Sequence, residues 1–138
     1  MKKELRDKYY GSTIEERLAR VPAELVIDAV GLWQVVSFGR EGFNLSGSEL
    51  VDYVRRHILA LLAKGAKPVV GARDNVHYWV VVDYGRNPNE IADAIISEWL
   101  ASGREPGPGG VWFALPHIYQ ATRPHSSKDE VDSRKRHT

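Results

Sequence analysis

The sequence predicts an α+β domain, or a small α/β one, in which N-terminal helices precede a β-β-α-β unit. Apolar residues recur at helical spacing in several segments, and short runs rich in valine and aromatic residues lie between glycines and prolines. We therefore expect a sheet of about three strands packed by helices. The 138 residues suit one domain. We place it at 12–119, after a flexible N-terminus over 1–11 and before a disordered basic tail over 120–138.

Two helices are expected near the N-terminus. Ser12 or Thr13 precedes two glutamates, a pattern typical of a helix start. Pro22 suits the first turn of a second helix that continues to about residue 38. Its apolar positions, at steps of three and four, are Leu25, Ala29, Leu32, Trp33 and Val36. A strand over "LWQVVSF" is the alternative, because that stretch is rich in β-branched and aromatic residues. Its poor alternation favours the helix.

The clearest helix is "GSELVDYVRRHILALLAKG", which has a continuous apolar stripe and ends at Gly65. Ser46 and Glu49 have the spacing of a capping box at its start. A histidine on the flank of the stripe, His57, is expected to be partly buried and bonded to a backbone carbonyl. "KPVVGA" then predicts a short strand.

The stretch "DNVHYWVVVDYG", residues 74 to 85, predicts the next strand, joined to "KPVVGA" as a hairpin. Alternation places His77 and Asp83 on one face, and both faces are apolar in the middle. Such strands are usually central in a sheet. The segment "NPNEIADAIISEWLASG" has a cap at Asn87, a proline and a closing glycine, and predicts a helix. "VWFALP" predicts the third strand, which could run parallel to the second through a crossover.

Composition excludes several classes of chemistry. The chain has no cysteine, so it has no disulfide, thiolate metal site or cysteine nucleophile. The N-terminus lacks the apolar run of a signal peptide, and no stretch approaches the ~18 apolar residues that span a bilayer. We therefore expect a soluble cytoplasmic protein without a membrane association.

Charge is unevenly distributed along the chain. The net charge is +1, yet the basic excess lies in the first ten residues and in the tail, which leaves the body slightly acidic. A nucleic-acid-binding body should be basic on one face, so we expect no nucleic-acid partner. Binding through the basic ends alone is the lowest-ranked alternative, and it predicts a steep dependence on salt.

His77 is the best candidate for catalysis, because a histidine at a strand end beside a turn is a common position for a general base. Asp83 lies about 20 Å away along a straight strand, so the two are not a catalytic pair. His117, after the last strand, is a further candidate to approach His77. No histidine pair has metal-ligand spacing, so we expect no metal, and no motif indicates a cofactor.

The segments "LLAKGAKPVV" and "HYWVVVDYG" together resemble part of the papain-like peptidases of the bacteriocin-processing type. The resemblance covers about thirty residues, in which a helix, a turn and a His-led valine-rich strand follow one another. That family uses a nucleophilic cysteine, which this chain does not have. The resemblance would imply an inactive relative, and we do not adopt it.

Aromatic residues beside arginines suggest a surface for another protein. Exposed tryptophan, tyrosine and arginine are typical of binding hot spots. The residues we expect to bind a partner are Tyr84, Arg86, Arg40, Phe43 and Trp112. The sequence therefore favours a small non-catalytic protein-binding module, of an immunity or antitoxin type by size and class. The alternative is a small enzyme or ligand-binding domain that uses His77.

Overall fold

A computed structural model describes residues 4–124 and confirms the α+β class. Helices and strands alternate irregularly, and the four strands of the described residues form one antiparallel sheet. The helices are α1 (Ile14–Ala19), α2 (Val21–Ile27), α3 (Leu32–Ser37, continued by a π-helical turn over Phe38–Gly42), α4 (Gly47–Ala63), α5 (Pro88–Ser102) and α6 (Pro116–Tyr119). The strands are β1 (Val30–Gly31), β2 (Lys67–Gly71), β3 (Trp79–Val81) and β4 (Trp112–Ala114).

The strand order β1-β4-β2-β3 corrects two predictions. The sheet has a fourth strand, β1, whose two residues lie within the helix predicted from Pro22. The strands on either side of α5 are not parallel neighbours, because β2 lies between them and pairs antiparallel with each. A hairpin thus brings β3 back beside β2, and β4 pairs on the other side of β2.

The predicted central strand over 74–85 is wrong in both length and position. Only Trp79–Val81 are in β3, and this strand lies at the edge of the sheet. Val80 and Val81 are 46% and 42% exposed, so their apolar character does not reflect burial on two covered faces. The predicted hairpin with β2 is confirmed, with Val70 opposite Val80.

The long helix predicted from Pro22 is two helices with a strand between them. At Asp28 the backbone becomes extended, with φ −162° and ψ 169°, and ends α2. Gly31 then pairs with Trp112. A side chain at Gly31 would come within 2.7 Å of the Trp33 ring, so glycine permits this close packing. The preferred helical interpretation of "LWQVVSF" is confirmed by α3, and the strand alternative is wrong.

Local capping signals predicted three helix starts. Thr13 forms a reciprocal capping box with Glu16 at α1, and Asn87 accepts the Glu90 N–H at 3.0 Å at α5. At α4, Ser46 is the capping residue by position, but its side chain makes no capping hydrogen bond. The capping-box prediction was therefore right for the boundary of α4 and wrong for the bond.

The core lies on the inner face of the sheet, against α2, α3, α4 and α5. Phe113, in the middle of β4, is fully buried there, whereas its neighbour Trp112 lies on the outer face. This confirms that the alternation of "VWFALP" sends a ring to each side of the sheet. The outer face is covered only in part, by Ile118 and Tyr119 of α6. No helix within residues 4–124 has the length and apolar character to cross a membrane.

The described part of the N-terminus is held by Asp7. Its side chain is 3% exposed and accepts the backbone N–H groups of Tyr9, Tyr10 and Ser12 at 2.7–2.9 Å. The Lys8 N–H donates to the Gly42 carbonyl at 2.9 Å, which ties this turn to the end of the π-helical segment. The domain limits at 12 and 119 stay predictions, and residues 125–138 of the predicted tail lie outside the described residues.

Replacing Asp7 with alanine is expected to lower the free energy of unfolding by about 1–3 kcal/mol, because buried N–H groups lose their acceptor. Burial alone would raise the pKa of Asp7, but the three N–H groups hold it below 3.8, the ordinary value for an aspartate. The stabilisation is therefore complete above the unfolded pKa and is lost as the pH falls through the lower folded value. Urea unfolding near neutral pH and in acid measures the free energy of unfolding of both proteins and so the part that Asp7 contributes at each pH. Asp52→Ala, at an exposed carboxylate, is the control; an equal loss in both variants would contradict the assignment.

Candidate functional site

An open groove of about 520 Å³ lies on the outer face of the sheet, where two tryptophans meet. We call it the tryptophan groove. Its principal residues are Arg73, Tyr78, Trp79, Pro108, Gly109 and Trp112. The centroids of the Trp79 and Trp112 rings are 5.5 Å apart and the rings are inclined by 50°. Both rings are partly exposed, so together they form a surface that large apolar groups can contact.

Strand pairing positions these two rings. Trp79 of β3 lies opposite Gly71 of β2, and Trp112 of β4 lies opposite Gly31 of β1. A Cβ atom at Gly31 would lie 3.2 Å from the Trp112 ring, so this glycine leaves the space that the indole occupies, whereas a Cβ atom at Gly71 would meet nothing within 4 Å. The Trp112 Nε1–H also donates to the Pro108 carbonyl at 2.7 Å, which fixes the ring against the 107–110 loop. The groove is thus built from the sheet and held by one hydrogen bond.

The outer edge of β3 presents unpaired backbone groups. The Val82 N–H donates to the Pro68 carbonyl at 2.9 Å, and the Tyr78 carbonyl accepts the Ala72 N–H at 3.0 Å. Since successive residues of a strand point their backbone groups to opposite sides, Trp79 and Val81 point theirs away from β2. No other strand of the described residues pairs with β3 on that side. This is the edge geometry that pairs with an added strand.

A short extended segment already pairs beside the start of β3. Thr122 forms an antiparallel bridge with His77, and the Arg123 N–H donates to the Val76 carbonyl at 2.6 Å. The Arg123 guanidinium lies 4.9 Å from the centroid of the Tyr78 ring. The chain itself therefore shows that backbone in this region accepts an extended segment, stabilised by an arginine on an aromatic ring.

His77 is exposed, and its partner is Asp74 rather than Asp83. Its Nδ1 lies 3.0 Å from Asp74 Oδ2, and Asp74 Oδ1 accepts the N–H groups of Val76 and His77. The His77 N–H is the largest cause that lowers the pKa of Asp74 to about 2. Asp83 accepts the Gly85 N–H, and His117 faces the Val26 carbonyl. His77 does not line the tryptophan groove.

The turn after β3 holds two of the predicted partner residues. Tyr84 is partly buried against the core and donates its hydroxyl hydrogen to Glu98 of α5 at 2.9 Å. Burial, with the Glu98 charge, raises the pKa of Tyr84 to about 12. Arg86 is exposed, and its backbone N–H donates to Glu90. Tyr84 thus anchors the turn to α5, whereas the Arg86 side chain faces solvent.

Two further predicted partner residues are Arg40, on the π-helical segment, and Phe43, just after it. Arg40 is exposed and forms an ion pair with Glu105. Phe43 is 2% exposed and packs between Phe38 and Tyr53, so its ring contributes to the core and not to a surface. Aromatic composition predicted a surface here, but the π-helical turn directs the ring inward. Of the five predicted residues, only Trp112 lines the tryptophan groove.

A second cavity, which no pattern in the sequence indicated, is a cleft of about 370 Å³ formed mainly by residues of α1, α2, α3 and α4. We call it the polar cleft. Arg17 and Glu24 pair across it at 2.8 Å, and His57 lies at its inner wall. Three polar atoms there have no hydrogen-bond partner among the described residues: Arg17 Nε, Glu24 Oε1 and His57 Nε2. A buried polar atom without a partner costs about 1–3 kcal/mol.

His57 departs from its predicted environment. It is 1% exposed, and its Nδ1 lies 3.3 Å from the Tyr53 hydroxyl rather than near a backbone carbonyl. Burial, with a smaller effect of the Arg17 charge, lowers the pKa of His57 to about 3, so the ring is neutral. Burial also raises the pKa of Tyr53 to about 12. The two rings therefore form an uncharged pair beside the Arg17–Glu24 ion pair.

No group of three or more metal-ligating side chains occurs within residues 4–124. Comparisons with protein-family models, with curated proteins and with solved structures found no match to this chain.

Proposed function

We propose that this protein is a non-catalytic protein-binding module that receives an extended segment of another protein along the outer edge of β3. The observation that carries the proposal is the combination of unpaired backbone at Trp79 and Val81 with the tryptophan groove beside it. Strand addition of this kind takes affinity from main-chain hydrogen bonds and specificity from a pocket for an alternate side chain. The β3 edge supplies the first, and the groove supplies the second.

The composition of this surface favours a protein partner. Val81 is 42% exposed and Tyr78 is 39% exposed, so the edge has apolar side chains next to its free backbone groups. Tryptophan and tyrosine dominate the energy of protein interfaces because each ring buries a large area at little cost in side-chain entropy. Trp79 and Trp112 are thus the residues that should contribute most to binding.

Charge further defines the bound segment. Arg73 lines the tryptophan groove, and it forms no ion pair with any residue that the structure describes. A carboxylate of the partner would meet this guanidinium at the rim. We therefore expect an extended segment that carries a large apolar side chain for the groove and an acidic residue close to it.

Val81→Pro is expected to weaken binding at least about tenfold, which is ~1.4 kcal/mol, because it removes the outward N–H. The fold should persist, since that N–H makes no bond to β2.

Trp79→Ala is expected to make the free energy of binding less favourable by about 2 kcal/mol or more, because it removes one wall of the tryptophan groove. Peptides would be selected from a displayed random library, and their dissociation constants measured by calorimetry for each variant.

Leu100→Ala, at an exposed position of α5, is the matched control and should bind as the parent protein does. Selected peptides that bind Val81→Pro unchanged would exclude strand addition at this edge. A concentration-dependent dimer that Val81→Pro abolishes would show that a second copy of this chain occupies the edge, which would also contradict the proposal.

An enzymatic role for His77 stays the alternative. Its Nδ1 contact with Asp74 is a base–carboxylate pair of the kind that orients a catalytic histidine. However, the tryptophan groove does not include the ring, and no serine or threonine hydroxyl makes a hydrogen bond with it within the described residues. An immunity or antitoxin role, and a cytoplasmic location, stay predictions from the sequence.

A further inference from the structure

The polar cleft shares no lining residue with the tryptophan groove and includes no residue of β3. Its His57 ring is 1% exposed, yet its Nε2 has no partner within residues 4–124. The Arg17–Glu24 pair uses only Nη1 and Oε2, which leaves Nε of the arginine and Oε1 of the glutamate unbonded and buried. Buried polar atoms are almost always hydrogen-bonded in proteins, so three in one cleft need a polar partner that the described residues do not supply.

The charges of the cleft disfavour a strongly charged ligand. The guanidinium of Arg17 is compensated by Glu24 at 2.8 Å, and Asp28 adds a carboxylate to the lining. An anion such as phosphate would therefore face two carboxylates against one guanidinium. A cation would compete with Arg17 for Glu24 and would meet the guanidinium as well. An uncharged molecule avoids both costs.

The unbonded atoms also define the hydrogen-bonding pattern of the ligand. Arg17 Nε–H can only donate, and Glu24 Oε1, in its ionised form, can only accept. The ligand must therefore present an acceptor and a donor. His57 Nε2 can complement either one, because a neutral imidazole carries one donor and one acceptor. An amide group, with N–H beside C=O, has the required pair.

The remaining walls favour a flat apolar body on that amide. Val35 and Phe38 line the cleft, and the Phe38 ring lies 4.3 Å from the Arg17 guanidinium carbon. We propose that the polar cleft binds a small uncharged molecule with a planar amide edge attached to a ring. The cleft volume of about 370 Å³ is at the lower end of the range for small-molecule sites.

Nicotinamide is a suitable probe, since it is uncharged and carries a carboxamide on a flat ring. Titration into ¹⁵N-labelled protein, followed by NMR, is expected to shift the His57 ring nitrogens with a dissociation constant on the order of 1 mM. Nicotinate replaces the N–H with a negative charge, and N,N-dimethylnicotinamide removes the N–H donor. Both are expected to bind at least about tenfold more weakly than nicotinamide.

Arg17→Lys keeps the charge but removes Nε–H, and it is expected to weaken nicotinamide binding about tenfold. Arg20→Lys, at an exposed arginine next to α1, is the matched control and should leave binding unchanged. His57→Phe is expected to lose binding, and its melting temperature must be measured beside it, because the substitution removes the unpartnered Nε2 and also the Nδ1 that faces the buried Tyr53 hydroxyl.

Three results would overturn the proposal. The first is that the NMR signals of the His57 ring nitrogens do not shift at nicotinamide concentrations well above the expected dissociation constant. This would mean that the cleft holds only water. The second is equal binding of nicotinamide and its dimethyl derivative. The third is that the Arg17→Lys variant folds and binds nicotinamide as tightly as the Arg20→Lys variant does. In that case the Arg17–Glu24 ion pair stabilises the fold and does not bind the ligand. None of these results depends on the β3 edge, so this proposal and the proposed function can fail separately.

Discussion

Phe113→Ala is expected to lower the free energy of unfolding by about 3–5 kcal/mol, the largest effect of any substitution considered. Phe113 is fully buried and lies at the centre of β4, opposite Val30 of β1 and Pro68 of β2. Its ring is the contact between the three-residue strand and the helical layer. Because a domain of this size has about 5–15 kcal/mol of stability, the loss would be a large share of the total.

Equilibrium unfolding in urea, monitored by tryptophan fluorescence, measures this effect. Leu100→Ala is the matched control, since Leu100 is 54% exposed and its loss should change stability by about 0.5 kcal/mol or less. If Phe113→Ala and Leu100→Ala were equally stable, the sheet would not be packed on the helices through β4.

Gly39→Ala is expected to destabilise the protein by about 1–3 kcal/mol through overpacking. A Cβ atom at Gly39 would lie 2.7 Å from Tyr53 Cδ2 and 2.8 Å from Leu50 Cδ1. Both side chains are buried and cannot move away without disturbing the core. The π-helical turn over Phe38–Gly42 therefore packs on α4 at a position where only glycine fits.

Gly107→Ala is the control for this substitution, because a Cβ atom there would meet nothing within 4 Å. Its stability should match or slightly exceed that of the parent protein, since alanine restricts the unfolded chain. The two melting temperatures can be compared by differential scanning calorimetry. An equal melting temperature for Gly39→Ala and the parent protein would rule out this close contact between the turn and α4.

Local signals predicted the elements that depend on local chemistry. The amphipathic stripe of α4, the Asn87 cap and Pro88 of α5, and the alternation of "VWFALP" each specify their own conformation. The β2–β3 hairpin followed from two adjacent valine-rich runs. These predictions needed no knowledge of distant residues.

The strand order could not be predicted, because it depends on pairings between segments far apart in sequence. β1 has two residues and exists only because Val30 and Gly31 meet Phe113 and Trp112. Without β1 and the position of β4, the valines of "WVVV" were best explained by a central strand. Their exposure at an edge is the signal that the proposed function now uses.

The sites show the same division between local and distant information. Tryptophan composition indicated a surface around Trp112, which is where the groove lies. The polar cleft gave no signal in sequence, since Arg17, Glu24 and His57 come from three different helices and have no motif spacing. For Phe43 the prediction of an exposed ring was wrong. The composition of this segment is typical of a loop, but the chain forms a π-helical turn that buries the ring.

Amide hydrogen exchange of β3, measured with and without a selected peptide, tests the binding role of this edge most directly. In the free protein, the N–H groups of Trp79 and Val81 should exchange fast, whereas those of Val80 and Val82 should be protected by bonds to β2. Bound peptide should slow exchange at Trp79 and Val81. Unchanged exchange at these two residues, with new protection elsewhere on the molecule, would contradict strand addition at β3.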